Sequence, residues 1–177
     1  MRVVPPAAIS TSSETVDGFQ LVIPAKRNVF VLLFLLVWLV FWALGEATAF
    51  HQLTTSTNVQ WFLVFWMTAW TAGGLFAVTA WLWTAFGREI VTLGSGELRI
   101  RWEVLGVGRS KEFDLAQVRN LRVSAWTPVA RSAGIQSPGR GGRVAFDYGA
   151  KTFRFGASID EAEALQIIDE LRKRHAF

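Results

Sequence analysis

The chain has no cysteine among its 177 residues, which removes disulfides, thiolate nucleophiles and cysteine-ligated metals together. Histidine is almost as scarce. His51 falls in a polar segment read as residues 46–58, and His175 stands third from the end, so the two are expected on opposite sides of any membrane between them. Neither is expected to join the other in a metal site or a proton relay. No Asp, Glu, Lys or Arg interrupts the middle of either long apolar run, although ion pathways and intramembrane relays need such groups. No phosphate-cradling loop with a terminal Lys-Ser/Thr, no dinucleotide fingerprint and no serine-centred elbow occurs. With no convergence of titratable groups, the sequence predicts a non-catalytic protein without cofactor or metal.

Half of the residues are hydrophobic, but unevenly placed: 26 of the 32 Asp, Glu, Lys and Arg residues stand at or after Arg88. Two apolar stretches, residues 29–50 and 59–86, precede that point. About twenty helical residues cover the roughly 30 Å of a bilayer's hydrocarbon core, so each stretch is read as a membrane span. Trp61 and the Trp81/Trp83 pair lie about twenty residues apart, a separation that suits indoles anchored at two interfaces. Lys26 and Arg27 precede the first span, Arg88, Arg99 and Arg101 follow the second, and residues 46–58 contain no Lys or Arg. The positive-inside rule therefore predicts a hairpin with both termini cytoplasmic. Ala47-Thr48-Ala49 offers a small-residue cleavage pattern, yet the run before it is longer and starts later than a secretory core, which predicts an uncleaved anchor.

Trp38/Trp42 and Trp66/Trp70 are i,i+4 pairs, each on one helix face. Gly45, Gly73 and Gly74 permit close approach of helices. Two uses stand open: packing of the spans on each other, or a face that docks a further membrane protein.

From Glu89 onward the pattern shortens to alternation. Residues 89–93 read as a strand, Gly94-Ser95-Gly96 as a turn, and Leu98, Ile100, Trp102 and Val104 alternate with charged neighbours in a half-buried second strand. Residues 109–115 and 118–123 suggest two more. Residues 143–148 and 152–155 form a hairpin about Gly149-Ala150. Ala164, Ile167, Ile168 and Leu171 recur at helical spacing behind Ser158 and Glu161, which are read as a capping box. Residues 16–27 also alternate and are predicted to add a strand to this domain. Residues 1–15 read as a flexible leader.

A two-span hairpin running directly into Gly87-Arg88-Glu89-Ile90-Val91-Thr92, then a short-turned meander and a helix opening Ser-Ile-Asp-Glu-Ala, resembles the small bacterial membrane proteins with a pleckstrin-homology-like domain. That resemblance implies an α+β architecture: a transmembrane hairpin (28–86) followed by an antiparallel sandwich or barrel (87–177) capped by a C-terminal α-helix. It also implies placement in a bacterial inner membrane, and binding or scaffolding without catalysis. The basic first loop that marks phosphoinositide-binding relatives is replaced here by Gly94-Ser95-Gly96.

The remaining candidate site is residues 127–142, where Arg131, Arg140 and the adjacent Arg143 surround glycines and are read as an anionic-headgroup site. A net charge of +4 is too small and dispersed for nucleic acid. The sequence therefore predicts an adaptor or accessory subunit that binds membrane lipids and an integral membrane protein or complex. Headgroup binding through the arginines is one alternative, and a subunit of a pigment or electron-transfer complex is another. A homo-oligomer fits the same features.

Overall fold

The computed structural model describes residues 10–15, 18–55, 61–124 and 141–175. The chain divides into a helical hairpin, Arg27–Ala85, and a β unit drawn from the residues on either side of it.

In the hairpin, α1 (Val29–Thr55) and α2 (Trp61–Phe86) are both long and apolar enough to cross a membrane. Asn28 starts α1 by accepting from the backbone N–H groups of Phe30 and Val31, two donors that a helix cannot satisfy internally. Large apolar side chains face outward along both helices, with Phe30 79%, Phe41 70%, Phe62 76% and Phe65 73% exposed. Hydroxyls on these surfaces are turned back on the helix: Thr48 donates to Leu44 O, Thr68 to Val64 O and Thr79 to Leu75 O, at 2.7–2.9 Å. Such bonds satisfy these three hydroxyls within their own helices. Helix α1 continues to Thr55, beyond the expected end at residue 50, so Glu46 and His51 are helical and not part of a loop.

The β unit is α+β and antiparallel throughout. Five strands lie in the order β1 (Thr11–Thr15), β2 (Gly18–Pro24), β3 (Gly87–Leu93), β4 (Glu97–Val104) and β5 (Val107–Asp114). A second sheet contains β6 (Val118–Val123), β7 (Val144–Tyr148) and β8 (Lys151–Phe155). Segment 18–24 takes its place beside β3, pairing Phe19 with Leu93 and Pro24 with Arg88. β1 lies within the stretch read from sequence as a leader, and it extends the sheet by one more strand.

The expected sandwich or barrel is corrected in one respect: the two sheets are not closed into a barrel. A 3-10 turn, Leu115–Gln117, follows β5, and β6 then pairs with β7, so no described ladder joins one sheet to the other. The core lies between the inward rows Phe19/Leu21/Ile23, Val91/Leu93, Leu98/Ile100 and Val144/Phe146, together with Phe155. Helix α3 (Glu161–Arg174) adds Ala164, Ile167, Ile168 and Leu171 to that core. The expected capping box is also corrected. Asp160 is the N-cap, accepting from Glu163 N–H at 2.8 Å, while Ser158 Oγ accepts from Lys26 N–H at 3.1 Å.

Candidate functional site

In the hairpin, the residues singled out from sequence separate into two groups. Trp42 donates its indole N–H to Trp70 O, and Trp81 donates to Leu32 O, both at 3.1 Å. Trp38 and Trp70 lie ring to ring at 6.3 Å, and a Cβ added at Gly74 would overlap the Trp42 indole. Trp38, Trp42, Trp70, Trp81 and Gly74 thus lie between the two helices, where the indole donors meet carbonyls of the opposite helix. Trp61 is 77% and Trp66 49% exposed, and nothing approaches a Cβ placed at Gly73. Those three face outward, with Trp66 stacked between Phe62 and Trp70.

Glu46 was not anticipated in the seam. Its Oε1 accepts from Thr71 Oγ1, while its buried Oε2 and the buried Trp83 Nε1 have no partner among the described residues. The signal was available, because Leu35, Leu39, Trp42 and Glu46 follow one another at helical spacing.

Three carboxylates organise the β unit. Glu89 shares the inward parity of Val91 and Leu93, so the strand buries it in an apolar row. Its Oε1 accepts from Trp102 Nε1 and its Oε2 from Gly156 N–H, each at 2.8 Å. Burial outweighs these donors and pushes its pKa up to about 7. Glu103 is on the opposite face of the same sheet, buried between two arginines: its Oε1 pairs with Arg88 and its Oε2 with Arg101 Nε at 2.9 Å.

Asp147 is the third. It receives a fork from Arg122 at 2.8 and 3.0 Å, Asn120 Nδ2 at 3.1 Å and Thr152 Oγ1 at 2.7 Å. Arg122 above all, then Thr152 and Asn120, hold its carboxyl well below the usual carboxylate range. Asn120 reaches this position through a left-handed backbone (φ 53°) at a register shift in β6, one extra residue that turns its side chain toward Asp147. All four contacts to its oxygens bind β6, β7 and β8 to one another.

Of the three arginines proposed for headgroups, Arg131 and Arg140 lie outside the described residues. Arg143 is described: its N–H donates to Gly156 O at 3.1 Å, and its guanidinium lies 3.8 Å from Glu161 at the start of α3. Among the described residues, no group of three or more His, Asp or Glu side chains is placed to hold a metal ion. Strand β5 is one of the two exposed edges of the five-stranded sheet, β1 being the other. It ends the five-stranded order, pairs only with β4 among the described residues, and buries only Phe113.

Comparison with known proteins adds no relative: no family model matches this chain, and neither a curated protein nor a solved structure matches it.

Proposed function

We propose that this protein is a non-catalytic membrane adaptor or accessory subunit whose C-terminal domain, of pleckstrin-homology-like type, binds a protein partner in a larger membrane complex. In this reading the hairpin crosses a bacterial inner membrane with both termini in the cytoplasm. One observation carries the binding role: β5 is an eight-residue edge strand whose outer side is unpaired among the described residues. Unpaired N–H and C=O groups in a row are a template for an added strand. Arg109, Lys111 and Glu112 along it supply charges by which a specific partner is distinguished from a second copy. Glu89, Glu103 and Asp147 support the same reading, since each is occupied in holding strands together.

A photo-crosslinking amino acid at Ser110 on β5, in the full chain in its own membranes, tests this. A single crosslinked protein, identified by mass spectrometry and absent when the probe stands at Ser95, is the expected result. No crosslinked species from Ser110, or the same set from both positions, overturns the edge-binding role.

A further inference from the structure

The β unit has few exposed large apolar side chains. Among the described residues outside the hairpin they are Phe86 (44%), Leu105 (68%), Val107 (81%) and Leu165 (52%). Leu105 and Val107 form the tip of the β4–β5 hairpin, and Leu105 adopts a left-handed backbone (φ 51°) that a leucine seldom takes. A turn of this kind favours Asn or Gly, so local backbone preference does not explain a leucine held there in the open.

The sheet register gives this tip an address. Gly87, the first residue of β3, pairs with Val104, the last of β4. Ala25 N–H donates to Gly87 O at 2.9 Å, so the chain also leaves β2 at this end. Only residues 26–28 separate that point from α1, and α2 runs into β3 with no residue between. Both connections to the helices therefore leave the β unit at the same end of the sheet as this tip. Arg101 Nη2 donates to Gly106 O at 3.0 Å, bracing the turn. Arg109 on this hairpin, and Lys26 and Arg27 in the connection to α1, have no acidic partner among the described residues, whereas Arg88 and Arg101 share Glu103.

We propose that Leu105 and Val107 insert into the bilayer surface as a second, shallow anchor, with Lys26, Arg27 and Arg109 meeting anionic headgroups around them. An apolar tip ringed by cations matches that interface. The proposal rests on the reading that α1 and α2 cross the membrane, and the test separates the two.

The absence of cysteine makes single-site labelling clean. Leu105→Cys, Val107→Cys, Ser95→Cys and Val37→Cys, each in the full chain and carrying an environment-sensitive fluorophore, are reconstituted in nanodiscs containing phosphatidylglycerol and nitroxide-labelled lipids. Quenching by shallow nitroxides at 105 and 107 at least about twofold above that at 95 is expected for residues held in the interface. Deep nitroxides should quench at 37. Quenching at 37 with 105 and 107 no different from 95 overturns the anchor alone, and no quenching at 37 removes the spanning reading and the anchor with it. Protection of 105 and 107 in native membranes but not in nanodiscs assigns the tip to a protein and overturns the lipid proposal.

Discussion

Glu89 and Trp102 face each other across the β3–β4 ladder, and the Trp102 indole N–H donates to Glu89 Oε1 at 2.8 Å. The other oxygen meets Gly156 N–H, where a left-handed glycine (φ 75°) begins the connection from β8 to α3. One buried carboxylate thus ties the five-stranded sheet to the end of the three-stranded one.

Stability should depend on pH through this group. Its pKa rises from an ordinary 4.5 to about 7 on folding, mainly through desolvation. The folded state therefore holds a proton that the unfolded chain has released. The resulting stabilisation is fully present below about pH 4.5 and is lost as pH rises through about 7, a swing of about 3 kcal/mol. Glu89→Gln should flatten this dependence, although its amide sets a donor against Gly156 N–H. Melting of the full chain in a neutral detergent at about pH 5 and about pH 8 checks this. An unchanged pH dependence in the variant would sink the assignment.

Gly74 and Gly73 are adjacent, yet their substitution should differ sharply. A side chain at Gly74 must displace the Trp42 indole, whereas Gly73 opens on free space. Overpacking of this kind costs about 1–3 kcal/mol, so Gly74→Leu should lower the midpoint of an SDS unfolding titration. Gly73→Leu should leave it in place. Equal effects would mean that the helices do not meet through Trp42.

Phe146 is fully buried and meets Phe113 edge to face with centroids 5.0 Å apart. Phe146→Ala should destabilise the β unit by about 3–5 kcal/mol, through lost burial and the cavity left behind. Exposed Leu165→Ala should change stability by less than about 0.5 kcal/mol. Thermal unfolding followed by circular dichroism distinguishes the two, and similar losses would misplace the core.

Orientation is accessible to a membrane-impermeant thiol reagent. Thr55→Cys at the end of α1 should react in intact cells, and Ser95→Cys in the β3–β4 turn only after lysis, if the positive-inside rule governs this hairpin. The reverse pattern would invert the topology.

Much of the architecture was legible in local sequence because it depends on local geometry. Uninterrupted apolar runs made α1 and α2 readable, since a helix needs no distant partner for its backbone bonds. Alternation exposed β2, β3, β4 and the β7–β8 hairpin, and helical spacing exposed the inward face of α3. Elsewhere the outcome depended on partners far along the chain. Ser158 fits a capping box by spacing, but Lys26 N–H occupies its hydroxyl and Asp160 caps α3 instead. The Thr11–Thr15 strand has little pattern of its own and exists because β2 offers it an edge.

By itself, then, the sequence determined which segments are long apolar helices, most of the strands and the C-terminal helix, for those follow from backbone periods and the disposal of apolar surface within a few residues. Only the tertiary structure decided what the charged groups do. Glu46 meets Thr71 because α2 packs back along α1, Glu103 lies between Arg88 and Arg101 because of strand register, and Glu89 meets Gly156 across 67 residues. A carboxylate's chemistry is set by the donors and the dielectric around it, and both are supplied by parts of the chain that no local pattern connects.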